Sequence, residues 1–403
     1  MDTEVFDVAV VGGGMIGSSL AVGLEGAGVR TALVERSSMA NLATATFDGR
    51  GSAIAAGSKQ ILEGVGLWDA LAADAEPILE IRVAEGSAPF FLHYNHHDIG
   101  DGPLGWIVEN AVIRRTLGDA IADNKISVFD GVEVEGARFE RDYATLKLAS
   151  GDQVNARLVV AADGRNSQLR DNVGIETVRW SYPQTGIVCS VEHEISHRGI
   201  AHEHFFPSGP FAILPMTRNR SSIVWTERAS DVPHIRNMDE GAFATEISSR
   251  IGKFLGELKV RPERWFYPLS VVHAKRYGAW RFVLAGDAAH AIHPIAGQGF
   301  NIGMRDVAVL AEVVVDALRL GLDPGSHDVV DRYEHWRKPD NMLMIAATDT
   351  LNRLFSNEVL PIKVARNFGL SAVNRAKPLK RLLMRRAMGA VGRLPRLARG
   401  EPL

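Results

Sequence analysis

Short runs of consecutive apolar residues recur along the chain and predict strands that are buried on both faces of a sheet. They occupy residues 7–11, 29–34, 158–162 and 281–285. A continuous apolar run bounded by turn residues is typical of a parallel strand that helices cover on both sides. The first two runs flank a glycine-rich turn and a helical segment over residues 18–25. The start of the chain is therefore predicted to be a βαβ unit.

Between these runs the pattern changes to helices and to alternating strands. Helices are predicted over residues 58–71, 111–124, 239–258 and 301–320. Strand-rich segments lie at residues 81–91, 105–108, 128–151 and 185–225. Because the buried strands occur at the start, in the middle and towards the end, one domain is predicted to be discontinuous, with a second domain threaded through it.

Composition and charge narrow the class of protein. The 403 residues are 46% hydrophobic and 23% charged with a net charge of −3, which excludes a mainly disordered chain and a basic nucleic-acid binder. The single cysteine, Cys189, excludes a disulfide framework and a cysteine-rich metal site. Residues 351–403 carry +10 and the rest of the chain −13, which predicts a basic helical tail with its own partner or surface. A tail that packs on the acidic body is the alternative.

The first candidate site is the glycine-rich turn formed by Gly12, Gly14 and Gly17. In a G-x-G-x-x-G turn between a strand and a helix, the glycines permit a tight turn, close approach of a pyrophosphate and close helix packing. Glu35 ends the next strand, where an acid is expected to accept hydrogen bonds from a ribose. This context predicts a dinucleotide site but does not separate FAD from NAD.

Two further strands end in an acid beside a glycine. Asp163 and Gly164 follow the run at 158–162, and Gly286 and Asp287 follow the run at 281–285. An acid at the carboxyl end of a buried strand is placed to bind the hydroxyl groups of a cofactor, since ligands of open α/β sheets bind at that edge. For Asp163 an ordinary turn is the competing interpretation.

The segment after Asp287 ends in a second glycine-rich turn. Gly297, Gln298 and Gly299 open the helix predicted from Asn301, and a helix N-terminus favours negative charge. The two histidines at positions 290 and 293 suggest a metal, but no cysteine or carboxylate cluster stands beside them, so no metal site is predicted.

These three motifs, in this order and spacing, resemble those of the group A FAD-dependent aromatic monooxygenases, which have a para-hydroxybenzoate-hydroxylase-like fold. Within that family the chain is most similar to the ubiquinone-biosynthesis hydroxylases. The segments that carry this similarity are residues 47–50, 107–110, 208–215 and 292–306. The resemblance covers nearly the whole chain.

The domain prediction combines the pattern with this resemblance. The fold class is α/β with an α+β second domain. A discontinuous Rossmann-type FAD-binding domain is expected at residues 1–80, 107–175 and 274–350. An interleaved β-sheet domain that binds the substrate is expected at 81–106 and 176–273, and a basic helical C-terminal tail at 351–403.

The resemblance also implies roles for individual residues. The residues expected to bind FAD or the incoming nicotinamide are Gly12, Gly14, Gly17, Glu35, Arg36, Arg50, Arg114, Asp163, Asp287, Gly299 and Asn301. Those expected to flank the flavin ring are Pro294, Gly297, Gln298 and Gly299, and no dedicated catalytic residue is assigned. A surface salt bridge is the alternative role for Arg50 and Arg114.

The reaction implied by the resemblance uses FAD, with NAD(P)H as a transient co-substrate and O₂. NAD(P)H reduces FAD, a C4a-hydroperoxyflavin forms with O₂, and its distal oxygen hydroxylates an aromatic ring. The substrate implied is a polyprenylated phenol of ubiquinone biosynthesis. Phe206, Phe211, Leu214 and Trp225 are candidate lining residues, with a simple core role as the alternative. Tyr182 and His204 are candidates to orient the phenol.

Other functions and partners stay open at this point. One alternative is an FAD-dependent hydroxylase of a small soluble aromatic acid, and another is a non-catalytic flavoprotein in a biosynthetic complex. The expected location is the cytoplasm, with the basic tail as a contact to the inner membrane surface or to other ubiquinone-biosynthesis proteins. No nucleic-acid partner is expected, and the oligomeric state is not predicted.

Overall fold

A computed structural model describes residues 4–44, 46–86, 91–100, 102–355 and 376–403. In chain order its strands are β1 (Val5–Val11), β2 (Thr31–Glu35), β3 (Gly51–Ala55), β4 (Glu76–Ile78), β5 (Glu80–Glu85), β6 (Phe91–Asn95), β7 (Gly105–Glu109), β8 (Ser127–Asp130), β9 (Val134–Phe139), β10 (Ala144–Leu148), β11 (Gln153–Ala161), β12 (Thr177–His193), β13 (Ile200–Phe206), β14 (Gly209–Met216), β15 (Arg220–Arg228), β16 (Leu258–Val260), β17 (Trp265–Ala274), β18 (Gly278–Ala279), β19 (Phe282–Leu284) and β20 (His290–Ala291).

The helices alternate with these strands in the first part of the chain and dominate its last third. They are α1 (Met15–Gly26), α2 (Met39–Ala43), α3 (Ala56–Gly64), α4 (Trp68–Leu71), α5 (Asn110–Asp123), α6 (Gln168–Asn172), α7 (Val232–Asn237), α8 (Glu240–Ile251), α9 (Gln298–Arg319), α10 (His327–Phe355) and α11 (Lys377–Ala387). Within the described ranges, none of them combines the length and the apolar composition that crossing a bilayer requires.

The first sheet is the parallel sheet that the apolar runs predict. Its parallel strands lie in the order β8–β2–β1–β11–β19. β10 and β9 extend it through the N-terminal half of β11, and β18 borders β19; these additions are antiparallel. Strand residues such as Val10, Leu33 and Val160 pack against helix residues such as Leu20 and Leu310 in one continuous core. All four runs therefore meet in one sheet, although the last two are distant in sequence from the first pair.

The second sheet has the order β20–β17–β12–β15–β14–β13–β5–β6, with β16 beside β12. Helices α7 and α8 cover one of its faces, where Ile235, Phe243 and Ile247 pack on strand residues. The other face meets the first domain and the third, small sheet β3–β7–β4. Strands from 81–106 and from 176–273 thus share one sheet, joined by the short β20 from the following segment. The domain boundaries themselves stay a prediction.

Several element boundaries differ from the sequence prediction. The helix expected over 58–71 ends at Gly64, and Gly66, at φ +77°, separates it from α4. The helix expected over 239–258 ends at Ile251 because Gly252 adopts φ +80°, and Leu258 belongs to β16. The strand expected over 81–91 is two strands, β5 and β6, which pair with each other. The 29-residue helix α10 crosses the expected boundary at residue 350 and was not predicted.

Candidate active site

The glycine-rich turn has the geometry that a pyrophosphate site needs. Gly12 has φ +108°, and a Cβ there would lie 2.4 Å from the carbonyl oxygen of Ala162. A Cβ on Gly17 would lie 1.9 Å from the carbonyl oxygen of Gly12, so both positions require glycine. At Gly14, which caps α1, an added Cβ would meet no atom within 4 Å. The start of α1 therefore faces open space with backbone N–H groups available for an anion.

Glu35 lies directly beside this turn. One of its carboxylate oxygens accepts a hydrogen bond from the backbone N–H of Gly13 at 2.5 Å, and the other accepts one from Ser37 at 2.9 Å. These bonds hold the carboxylate at the end of β2, and its remaining lone pairs are available to a ribose. Arg36 is exposed at the same edge. The structure thus brings Glu35 to the glycine-rich turn, as the spacing predicts.

Asp163 lies at the end of β11, next to the end of β1. Its Oδ1 is buried and accepts no hydrogen bond within the described part of the chain. Burial raises the pKa of Asp163, while a hydrogen bond from Ser167 and other polar contacts oppose the shift. A buried acceptor without a partner is costly in a protein interior, so this oxygen is suited to a hydroxyl group of a bound cofactor.

The second and third motifs are joined by a buried arginine. Arg170, which is fully buried, donates to the carbonyl oxygens of Arg165 at 3.2 Å and Ala288 at 3.0 Å. Arg165 in turn lies 3.8 Å from Asp287. The Asp287 side chain is 49% exposed, so its carboxylate is accessible to a ligand. The acids that follow β11 and β19 therefore lie at the same edge of the parallel sheet.

Arg50 and Arg114 share one acidic partner. Asp48 accepts from Arg50 at 2.6 Å and from Arg114 at 3.1 Å. Burial would raise the pKa of Asp48, but the hydrogen bonds and charge of Arg50, followed by the charge of Arg114, lower it. The Arg50 guanidinium also lies 5.2 Å from the ring centre of Tyr267 on the second sheet. The alternative of a salt bridge is thus present in the structure, at the junction of the two domains, and any contact with the cofactor stays a prediction.

The start of α9 forms the other wall of the site. Pro294 leads into Gly297, which has φ +60° and places an added Cβ 2.9 Å from the Cβ of Ala53. At Gly299 an added Cβ would meet nothing within 4 Å, so the backbone faces open space there. The Asn301 amide donates to the carbonyl oxygen of Ala53 at 2.7 Å and accepts from the N–H of residue 55 at 2.8 Å. Because both ends of the Asn301 amide bind the backbone of β3, this side chain fixes the start of α9.

These observations fit an extended dinucleotide. The open glycine turn suits its pyrophosphate, Glu35 and Asp163 offer carboxylate acceptors, and the N-terminus of α9 offers a second positive pole. A family model described as an FAD binding domain matches residues 5–348. The chain belongs to the group A FAD-dependent monooxygenase family.

Two relatives of this flavoprotein monooxygenase match it along nearly its whole length. "Ubiquinone hydroxylase UbiL" of Rhodospirillum rubrum is 46% identical over 404 residues, covering 99% of this chain and 94% of that protein. The "3-demethoxyubiquinol 3-hydroxylase" of Escherichia coli is 34% identical over 392 residues, covering 96% of this chain and 100% of that protein. Among solved structures, p-nitrophenol 4-monooxygenase PnpA of Pseudomonas putida has the same fold, with a TM-score of 0.80, 20% identity, and coverage of 96% of this chain and 99% of that one.

The residues that were predicted to line the substrate site do not all lie on one face of the second sheet, which corrects part of the sequence prediction. Phe211 and Trp225 are buried in the core under α7 and α8, on the face of the second sheet that points away from the first domain. Phe206 packs against the same layer. Leu214 lies on the opposite face, in a cluster with Phe47. Side chains alternate along a strand, so residues 211 and 214 of β14 cannot share a face.

The two residues that were predicted to orient a phenol, His204 and Tyr182, lie on different sides of the second sheet. His204 pairs with Phe211 across β13 and β14, which places it on the far face, and its Nδ1 lies 2.9 Å from the carbonyl oxygen of Gly86. Tyr182 lies on the near side, where its hydroxyl donates to Asp349 of α10 at 2.6 Å. The sequence pattern did not reveal Asp349, because nothing in the sequence indicates that α10 packs on this sheet.

His290 and His293 each contact another side chain of the protein. His290 Nε2 lies 2.5 Å from the carboxylate of Asp306. His293 is fully buried, its ring packs edge-on against Tyr182, and burial lowers its pKa to about 4. In the part of the chain that the structure describes, no three histidine, cysteine or acidic side chains are grouped to hold a metal ion.

The basic tail divides into two parts, and residues 356–375 lie outside the described ranges. The last part packs on the first domain: Leu397 is fully buried in its core, and the Arg396 N–H donates to Glu312 at 2.6 Å. Helix α11 is different, since Leu379, Leu382 and Leu383 are 44%, 50% and 40% exposed. The alternative of a tail packed on its own body therefore applies to the chain end, but not to the outer face of α11.

Proposed function

We propose that this protein hydroxylates the aromatic ring of a polyprenylated phenol in ubiquinone biosynthesis. The observation that carries the proposal is the meeting of all three motifs at one edge of the parallel sheet, in a chain that matches a ubiquinone hydroxylase at 46% identity over 99% of its length. An ordinary glycine turn would not need beside it the buried Oδ1 of Asp163, which accepts no hydrogen bond within the described ranges.

The proposed arrangement of FAD follows from the positions of the three motifs at this edge of the sheet. The turn at Gly12, Gly14 and Gly17 would bind the pyrophosphate of FAD, Glu35 the adenosine ribose, and Asp287 the ribityl or pyrophosphate region. FAD, when bound, supplies hydride acceptance from NAD(P)H and the activation of O₂. The N-terminus of α9 would stabilise negative charge on a flavin ring bound near Gly299.

The protein's own part in hydroxylation is to position the ring and exclude water. The near face of the second sheet, with Leu214, and the apolar residues Phe47 and Ala53 of the first domain form the wall on the side of α9. An apolar wall suits a prenylated ring and keeps bulk water from the reacting atoms. Aligned in this way, an electron-rich phenol needs no protein nucleophile.

The test is quinone profiling in a bacterial host that lacks one ring hydroxylase of ubiquinone biosynthesis. Restored ubiquinone, together with the visible spectrum of a flavin in the purified protein, is the expected result. The missing hydroxylase then names the carbon that reacts. A flavin spectrum without restoration in any such host would favour the hydroxylase of a soluble aromatic acid. Flavin binding without substrate-stimulated oxygen uptake would favour a non-catalytic member of a complex.

We further propose that the outer face of α11 contacts an anionic membrane surface. Exposed arginines at positions 381, 385 and 386 alternate with the exposed leucines at 379, 382 and 383. Helices of this kind lie in the headgroup region with their leucines inserted, and their basic residues attract anionic lipid. Such a contact would place the enzyme where a prenylated substrate is dissolved.

Point substitutions test this contact better than truncation, because Leu397 belongs to the core. The triple variant Leu379→Ser, Leu382→Ser, Leu383→Ser should sediment less with phosphatidylglycerol vesicles than the unchanged protein, and higher salt should weaken binding of the latter. The double variant Leu320→Ser, Leu322→Ser is the control, since these leucines are 74% and 53% exposed at the end of α9. Equal sedimentation of the triple variant would remove the proposal.

A further inference from the structure

Glu203 occupies the face of the second sheet that is turned towards the flavin site. It lies on β13, directly opposite Ala212 on β14 and Val83 on β5. Two residues earlier on the same strand, Ala201 packs in a cluster with Leu214. Because residues two apart on a strand share a face, Glu203 points to the same side as Leu214.

Glu203 lies on a sheet face that is bounded by the cluster around Leu214 on one side and by the C-terminal end of α10 on the other. On one side, the Leu214 cluster includes Ala53, whose Cβ would lie 2.9 Å from a Cβ added at Gly297 of the flavin-flanking turn. On the other side, Phe205 of β13 stacks on Phe355 of α10 with the ring centres 3.9 Å apart. A ring bound against the near face of the sheet would therefore meet a polar group amid apolar neighbours.

Glu203 is half-buried, and its carboxyl has no partner for its charge in the part of the chain that the structure describes. Within the described ranges it forms neither a hydrogen bond nor an ion pair, and burial alone raises its pKa to about 7. On the far face, by comparison, Glu227 accepts from the indole N–H of Trp225 at 3.1 Å and lies 3.5 Å from Arg250. Burial of an uncompensated carboxyl opposes folding, and such groups in clefts are concentrated at functional sites.

The ionisable groups that share the face of Glu203 do not account for its raised pKa. Glu85 on β5 and Tyr94 on β6 share its face, and burial raises the pKa of Tyr94 to about 12, so this phenol stays neutral. The near face of β14 carries apolar residues at 212, 214 and 216. On α10, Asp349 is paired with Arg353 at 2.8 Å. No charge from these groups accounts for the shift at Glu203.

We propose that Glu203 binds the substrate by accepting a hydrogen bond from its ring hydroxyl. This inference rests on the proposed function, because it requires a phenolic substrate. A hydrogen bond to an ionised acceptor is stronger than one between neutral groups. It also increases electron density on the phenol oxygen and hence at the ring carbons ortho and para to it, where an electrophilic oxygen is transferred. Glu203 would then act on both the position and the reactivity of the ring.

The decisive experiment measures binding to the FAD-loaded enzyme through the change in the flavin absorption spectrum. The two ligands are 2-geranylphenol and its methyl ether, in which a methyl group replaces the hydroxyl hydrogen and removes the hydrogen-bond donor. At about pH 8 the unchanged protein should prefer the phenol by about tenfold or more, as expected for a hydrogen bond to a charged group, and the preference should fall below about pH 6. Glu203→Leu should abolish the preference, and Glu203→Gln should make it independent of pH.

A control and a second readout keep the outcome clear. Glu257→Gln makes the same chemical change at an exposed position and should leave the preference unchanged. Above about pH 7, Glu203→Gln should unfold at a higher temperature than the unchanged protein, because it removes the buried charge. A purely structural role would lower the unfolding temperature instead.

Two results have different consequences. If Glu203→Leu retains the preference for the phenol, or if Glu203→Gln retains its pH dependence, the role of Glu203 is wrong while the proposed function stands. If the unchanged protein neither binds 2-geranylphenol nor oxidises NAD(P)H in response to it, the proposed function itself is wrong.

Discussion

Asp306 of α9 and Arg337 of α10 form a buried ion pair, with Arg337 Nε donating to Asp306 Oδ1 at 2.7 Å. The second oxygen of Asp306 accepts from the backbone N–H of Gly286 at 3.0 Å. The pair therefore connects the two long helices to the turn that presents Asp287.

Replacing one partner should be costly because the other charge stays buried. Arg337→Met is expected to lower the free energy of unfolding by about 3–5 kcal/mol, which is typical when one partner of a buried pair is removed. It should also weaken FAD binding, since Asp306, which holds the Gly286 turn, loses the guanidinium that positions its carboxylate. Chemical denaturation and flavin titration measure the two effects. Arg332→Met is the control, because the side chains of its pair with Asp316 are 43% and 27% exposed and the pair should contribute less than about 1 kcal/mol.

The same carboxylate should make the protein sensitive to acid. Burial would raise the pKa of Asp306, but the charges of His290 and then Arg337 lower it to about 2. A carboxyl with a lowered pKa stabilises the fold above its unfolded value of 3.8 and loses that effect as the pH falls towards about 2. Unfolding measured over this interval should show a shallower decline in Asp306→Asn. The exposed Asp119→Asn variant should follow the unchanged protein.

The glycine turn provides a matched pair of substitutions on one helix. Gly17→Ala forces a Cβ to 1.9 Å from the Gly12 carbonyl oxygen and should abolish FAD binding and lower stability. Gly26→Ala, at the end of the same helix, adds a Cβ with no atom within 4 Å. It should retain the flavin and gain about 0.5–1 kcal/mol, the usual advantage of alanine in a helix. Retention of FAD by Gly17→Ala would contradict the assigned pyrophosphate site.

Asp163→Asn tests whether the unpaired oxygen is reserved for the cofactor. Because burial raises the pKa of Asp163 and its Oδ1 has no partner among the described residues, the neutral amide should not destabilise the FAD-free protein. It should weaken the binding of FAD or of NAD(P)H, measured by flavin fluorescence and by the KM for the nicotinamide. A stability loss with unchanged binding would instead indicate the ordinary-turn interpretation.

The corrected substrate face predicts opposite effects for two neighbours on β14. Phe211→Ala should cost about 3–5 kcal/mol as a core truncation, without a specific change in the KM for the phenol. Leu214→Ala, at a half-buried position, should cost less stability and raise that KM. The reverse result would restore Phe211 as a lining residue.

The spacing of residues within short segments was sufficient to predict the glycine-rich turn and the strands of the parallel sheet. Within the turn, Gly17 is required by the carbonyl of Gly12 five residues earlier, and continuous apolar runs are typical of a buried parallel sheet. The acids that end those runs could therefore be predicted at one edge, since parallel strands present their carboxyl ends together. The same reasoning correctly brought Glu35 beside the first turn.

Tertiary structure decided which side chains face the reaction. The face taken by Phe211, Trp225 and Leu214 depends on pairing among strands that are far apart in sequence, and a pattern of two-residue alternation does not state which face is covered by α7 and α8. The same holds for Glu203, whose neighbours come from β5 and β14, and for Arg337, whose partner lies on another helix. An acid of ordinary appearance in the sequence acquires its chemistry from burial, and burial is a property of the folded chain.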